Sequence, residues 1–468
     1  MFGMTVDPPV CASYRCLMTT RETDTVTPTT QPAVKRDITG KMLYLFILGD
    51  VLGAGIYALV GQIAGEVGGV TWAPMLVALA LALLTAASYA ELVTKYPHAG
   101  GSAVFAERAY KTPVVSFLVG YCMLAAGIVS ASGLALAFAG DYLGTFIDVP
   151  PVLGAIVFLA AIAALNARGI KESVRANLVM TMIETTGLVL VVVAVSVMLS
   201  GGRGDLGRAV QFETGSAPVV AIFGAALLAY YSFVGFETSA NVIEEVKDPS
   251  RVYPKALFGA LLTAGVLYVL VGTAASVALP SDELSDSTGP LLSVIEATRT
   301  GIPSWLFSAI ALVAVANGAL LTMIMSSRLA YGMGKQGLIP SAFSKVLPNR
   351  RTPWVAIVVT TVLAMILTAT GSIATLAETV VLLLLFVFLS TNVAVLVLRR
   401  DKVEGPHFRA WSVLPVLGAL SCIVLLTQQS GEVWLRGGII IVTGVVLYGI
   451  MAVVRRRRGG SGTASSVS

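Results

Sequence analysis

Stretches of apolar residues long enough to cross a bilayer, about 17–25 residues each, recur from one end of this chain to the other. Nothing else in the sequence restricts the fold as strongly. In hydrocarbon every backbone N–H and C=O must be satisfied within the protein, which leaves helices or closed barrels. Barrel strands would read as alternating segments of about ten residues, and none stand out. The sequence therefore predicts an all-α polytopic membrane protein. Twelve transmembrane helices are placed at roughly 42–65, 71–94, 113–143, 151–167, 174–200, 217–245, 253–280, 303–333, 353–370, 375–398, 411–428 and 433–454. Composition agrees: 56% of the 468 residues are hydrophobic and 12% are charged, about half the charge of a soluble domain.

The flanks and the charges set the frame. Residues 1–40 are polar and rich in Thr and Pro, and read as a disordered cytoplasmic tail. The first apolar run has full spanning length, so no cleavable signal peptide is expected; Met18 is an alternative start. Cys11, Cys16, Cys122 and Cys422, with His98 and His407, show no metal or disulfide spacing, and neither a metal nor a cofactor is implied. With the N-terminus inside, 27 of the 31 Lys and Arg residues fall on the cytoplasmic side, against Arg203, Arg208, Arg299 and Arg436 outside. That bias places both termini in the cytoplasm and the acidic connection 281–299 outside. The Arg455–Arg458 run at the start of the basic tail 455–468 reads as an anchor against anionic lipid rather than a nucleic-acid site.

Two spans depart from regular helix. Span 1 contains GDVLGAGIYALVG (49–61), four glycines and an acid in thirteen residues. Span 6 contains YYSFVGFETSANVIEE (230–245), with Gly235 beside Glu237. Non-helical backbone at membrane depth is tolerated only where it is buried or lines a polar cavity, and its free N–H and C=O groups attract the charged ends of a ligand. Close helix packing through small residues is the competing reading of the span 1 glycines. Because spans 1 and 6 open the two halves, about 42–200 and 217–398, the pattern suits a 5+5 inverted repeat with broken helices 1 and 6. The core would cover 41–400, with helices 11 and 12 added over 401–454.

At this point the chain resembles the amino acid–polyamine–organocation superfamily of permeases, which has the leucine-transporter fold. The resemblance rests on GAGIY (53–57), YAELVTKYPHAGGSAVFAERAY (89–110), NARGIKESVRAN (166–177), SFVGFE followed by EEVKDPSRVYP, and SSRLAYGMGKQGLIPSAFSKV (326–346). It implies that a substrate carboxylate binds amides of the span 1 break at Gly53, Ala54, Gly55 and Ile56. The ammonium would meet carbonyls near Leu52, Tyr231, Ser232 and Val234, beside Gly235. Tyr231 resembles a gate over the substrate, or is an ordinary core aromatic. Ser130 and Ser132 are candidates for the pocket wall, or are packing residues.

Three acids lie inside spans, Asp50, Glu184 and Glu237, and intramembrane acids are functional candidates by default. Glu237 resembles an acid of proton-coupled and exchanging members, or is a helix-breaking acid with local hydrogen bonds. Glu184 stands where the resemblance leads one to expect a lysine that mimics sodium. Asp50 and Glu184 would then share a proton or hold a cation; a sodium site would need Ser326 and Ser327 to face Asp50. The implied function is secondary active transport of amino acids across the plasma membrane by alternating access, as proton symport, sodium symport or antiport. The alternatives are a polyamine or cationic amino acid carrier and a non-transporting receptor of the same fold. No nucleophile–base pair or phosphate loop points to an enzyme.

Overall fold

The computed structural model describes residues 36–460 except 37, 54, 99, 169–173, 213–216, 349, 351 and 404; for 174–177 and 455–460 it describes the backbone alone. Among the described residues the chain is helical, and its extended pairing is limited to one parallel bridge between Ile38 and Val246. Helices α1 (Gly40–Leu52) and α2 (Gly55–Val67) meet at a bend of 43°. Next come α3 (Trp72–Lys95), the short α4 (Gly101–Tyr110), α5 (Pro113–Ala139), the short α6 (Asp141–Gly144), α7 (Pro151–Ala167), α8 (Val174–Ser200) and α9 (Pro218–Phe233). A 3-10 helix, Phe236–Glu245, continues α9. The remainder is α10 (Pro249–Ala278), α11 (Ser281–Asp286), α12 (Pro290–Thr298), α13 (Ser304–Lys335), α14 (Trp354–Thr368), α15 (Ile373–Leu398), α16 (Val413–Thr427) and α17 (Gly431–Gly460).

Eight of these segments are long and apolar enough to cross a membrane. The bent pair α1–α2 adds a ninth, and α7, α14 and α16 are shorter apolar helices. Their outer faces are oily. On α8 the exposed residues Val179, Met182, Val189, Val193 and Val197 follow helical spacing, as do Leu435, Ile439, Val442, Val446 and Ile450 on α17. A soluble surface would not carry such stripes. Trp305, Trp354, Trp411 and Trp434 are exposed in the first turn of a helix or just before it, where aromatic rings sit at a membrane interface. The chain is a helical, multi-pass membrane protein.

Two boundaries differ from the sequence reading, and one connection is helical. The tail expected to run to residue 40 is already ordered at Ile38, whose N–H donates to the Glu245 carbonyl and whose carbonyl accepts from Lys247, both at 3.0 Å. That pairing ties the chain before α1 to the chain after the second break; residues 1–35 and 37 lie outside the described residues. The basic tail expected from 455 begins instead as the last turns of α17. The connection 281–299 contains α11 and α12, because Leu284, Leu291, Val294 and Ile295 are buried. It rests on α2: Gln62 donates to the Ser285 carbonyl at 2.9 Å.

Away from the breaks, α3 is riveted to the chain that follows α15. Glu91, 2% exposed in its side chain, receives Arg399 in two parallel bonds of 3.0 and 2.8 Å. It also accepts the Ala410 N–H at 2.9 Å, while Lys95 donates to the Leu398 and Asp401 carbonyls at 2.6 Å. Removing one partner of a buried ion pair typically costs about 3–5 kcal/mol. Glu91→Ala is therefore expected to lower the thermal midpoint of the detergent-solubilised protein by several degrees, and more than Arg399→Ala does in a Glu91→Ala background. Additive losses in that double-mutant cycle would show that the pair is not coupled.

Candidate functional site

The two breaks form where the sequence puts glycine. α1 ends at Leu52, Gly53 caps it, and α2 begins at Gly55; Ala54 lies outside the described residues. α9 ends at Phe233, and Gly235 takes φ +127°, a conformation closed to most side chains. Each break leans on the other. A Cβ at Gly55 would stand 2.8 Å from the Cα of Ser232, and one at Gly235 would stand 2.6 Å from the Asp50 carbonyl oxygen. Both glycines are required by backbone-to-backbone approach, which is what the packing reading expects.

Breaking a helix frees carbonyls, and the structure shows where several of them go. The hydroxyl of Tyr268, on α10, lies 2.5 Å from the Val51 carbonyl and 2.9 Å from that of Ser232, one from each break. The Tyr231 carbonyl accepts the Val234 N–H at 3.1 Å. Two of the carbonyls expected to meet a ligand ammonium, those of Tyr231 and Ser232, thus already hold internal partners. Leu52 and Ile56 are fully buried. The Ser232 hydroxyl, beside Gly55, is buried with no hydrogen-bond partner. An orphaned buried hydroxyl is uncommon in native structures and calls for an explanation.

Next to the breaks lies a small cavity lined by Ala58 and Leu59 of α2, Val129, Gly133 and Leu134 of α5, Tyr231 of α9, and Ile373 and Ala377 of α15. Its wall carries no acid. Tyr231 closes one side, with its hydroxyl 2.8 Å from that of Ser130. Ser132 is placed elsewhere: it hydrogen-bonds the Ile128 and Ala364 carbonyls at 2.9 and 3.0 Å, facing α14. It packs helices and does not line the cavity.

The three acids have unlike surroundings. Glu237 is buried and accepts the Gly235 N–H at 2.9 Å, so it caps the 3-10 helix from within. Asp50, half-buried, accepts the hydroxyl of Thr238 across the two breaks. Glu184 is fully buried on α8. Its Oε1 accepts the Asn317 amide at 3.1 Å, its backbone carbonyl accepts the Tyr57 hydroxyl at 2.8 Å, and its Oε2 has no partner. The two serines of the sodium alternative have partners of their own. Ser326 donates to the Thr322 carbonyl and packs on Gly127, and Ser327 bonds the Ile324 carbonyl and Asn166. Among the described residues no group of three or more His, Cys, Asp or Glu side chains is arranged to hold a metal ion.

Tyr268 and Asn317 were not foreseen from the sequence. Each is one of several polar side chains in a mostly apolar span, and nothing local singles it out.

Residues 38–460 match the model of a family described as amino acid permease. The chain is 26% identical to the branched-chain amino acid permease BcaP of Bacillus subtilis over 449 residues, covering 89% of this chain and 93% of that protein. It is 28% identical over 391 residues to the low-affinity putrescine importer PlaP of Escherichia coli, with 78% and 83% covered. A methylthioribose transporter of B. subtilis is 24% identical over 440 residues, with 89% and 93% covered. With a family match that spans nearly all of the described structure, this chain belongs to the amino acid permease family, within the amino acid–polyamine–organocation superfamily.

Proposed function

We propose that this permease carries amino acids with apolar side chains across the plasma membrane by alternating access. In this reading twelve spans form a 5+5 inverted repeat plus two C-terminal helices, and both termini are cytoplasmic. The substrate carboxylate meets amides near Gly55 and the Ser232 hydroxyl. The ammonium meets carbonyls of the breaks, and the side chain enters the cavity under Tyr231. The observation that carries the reading is the contact between the two interrupted helices beside an apolar cavity. In this reading the breaks offer backbone polar groups to the two ends of a zwitterion, and the cavity, which in this conformation has room for about one water, widens to seat the side chain. The similarity to a branched-chain amino acid permease supports the same choice. Similarity to a putrescine importer favours a second reading, a polyamine carrier, but the acid-free cavity wall supports the first. Uptake of a panel of labelled amino acids by purified protein in liposomes tests the proposal. Accumulation of leucine or a similar amino acid is the expected result, and binding without flux would leave a receptor.

A further inference from the structure

Behind the second break lies a buried polar network that the transport reading leaves unused. Asn392 of α15 is fully buried. Its carbonyl oxygen accepts the Ser88 hydroxyl at 2.6 Å and its amide donates to the Thr85 hydroxyl at 3.3 Å, both on α3. Thr85 is hydrogen-bonded in turn to Tyr230, the neighbour of Tyr231 at the end of α9. One turn earlier on α15, the Phe388 ring lies 6.2 Å from that of Tyr230 and stacks at 5.5 Å on that of Phe236. Tyr230 and Phe236 stand on either side of Gly235, so this face of α15 touches both flanks of the break. Asn392 is also closed in by α16. A Cβ at Gly418 would stand 2.6 Å from the Asn392 Oδ1, and the Cys422 sulfur, one turn on, lies 3.9 Å from the Asn392 amide nitrogen. The outer face of α16, with Leu417, Leu420 and Val424, is exposed.

Polar side chains often join membrane helices with no further role. Here the network ends on the break itself. A polar network with its partners filled is rigid, and a close-packed interior passes a displacement on rather than absorbing it. We propose that Asn392 is a positioning residue for transport, which holds the second break opposite the first, and that α16 sets its place through the notch at Gly418. The inference rests on the transport reading above and adds a control point outside the breaks and the cavity. α16 follows the ten helices of the proposed repeat, so it acts on the site from the lipid side. An inward shift of α16 meets the Asn392 carboxamide with no methyl-sized gap between them. Through Thr85 the push reaches Tyr230. That residue is one position from Tyr231, which closes the cavity, and two from Ser232, whose hydroxyl lies at Gly55.

The test pairs two measurements on the full chain in liposomes: amide hydrogen exchange across residues 231–238, read by mass spectrometry, and initial leucine uptake per inserted molecule. One hydrogen bond between membrane helices shifts an equilibrium by about threefold to tenfold. Asn392→Ala should therefore speed exchange at the break and slow uptake by factors of that size. Gly418→Val should do the same from α16, and Gly418→Ala replaces it if the valine variant does not fold. Tyr230→Phe should reproduce the loss and add nothing in an Asn392→Ala background. The control is Ser276→Ala, which removes a buried hydroxyl pair with Thr71, 2.9 Å apart, at the far end of α10; it should lower the thermal midpoint and leave both readings alone. A lowered midpoint in Asn392→Ala with unchanged exchange at the break would make the network ordinary packing and overturn the proposal. Faster exchange with wild-type uptake would overturn its role in transport, and additive losses with Tyr230→Phe would overturn the route. No uptake of any amino acid by wild type would overturn the transport reading instead, and exchange would still decide whether Asn392 holds the break.

Discussion

Leucine in place of Gly55 is expected to abolish amino acid uptake while the protein still inserts into the membrane. Even a methyl group at this position would stand 2.8 Å from the Ser232 Cα and 3.1 Å from its hydroxyl. The obstacle is backbone of the facing break, which cannot rotate aside as a flexible side chain would. A larger side chain must push the breaks apart or fill the space beside the orphan Ser232 hydroxyl. Either displacement removes the geometry that a carboxylate would use. Gly55→Ala should fall between wild type and leucine. The measurement is initial uptake per inserted molecule, with insertion scored separately. Wild-type uptake by Gly55→Leu would show that the contact between the breaks is dispensable.

Tyr268→Phe should produce the second-largest loss. The ring stays buried where it is and only the hydroxyl goes, leaving the Val51 and Ser232 carbonyls without their shared donor. An unsatisfied buried acceptor costs about 1–3 kcal/mol, and each 1.4 kcal/mol is about a factor of ten. Uptake should therefore drop roughly tenfold to hundredfold if the hydroxyl sets the distance between the breaks. A lowered thermal midpoint with unchanged uptake would make Tyr268 a stabilising residue only.

Much of this architecture is legible in the sequence because membrane helices announce themselves by length and composition. The breaks are legible too, since Gly55 and Gly235 occupy positions that no other residue fits. What the sequence withholds is pairing. Tyr268 lies 217 residues from Val51, and Asn317 lies 133 residues from Glu184. No local pattern encodes which lone polar group in an apolar span faces which other. The same limit explains Ser132: with Ser130 two residues away, helix rotation alone decides that one reaches Tyr231 and the other reaches α14. Likewise nothing local tells that Ser326 packs on Gly127 of α5 and Ser327 bonds Asn166 of α7. The acids divide by environment, which composition cannot show: Glu237 is satisfied by the break it helps to form, while Glu184 is left short of donors.

The claim on which the account depends is that the breaks hold the two charged ends of an amino acid while the cavity holds an apolar side chain. Competition against labelled leucine uptake in liposomes tests it most directly, with three competitors: unlabelled leucine, 3-methylbutylamine (leucine without its carboxylate) and putrescine. The account predicts strong inhibition by leucine and little by either amine, since neither amine offers a group to the amides and the hydroxyl at Gly55 and Ser232. Inhibition by putrescine or 3-methylbutylamine equal to that by leucine would contradict it.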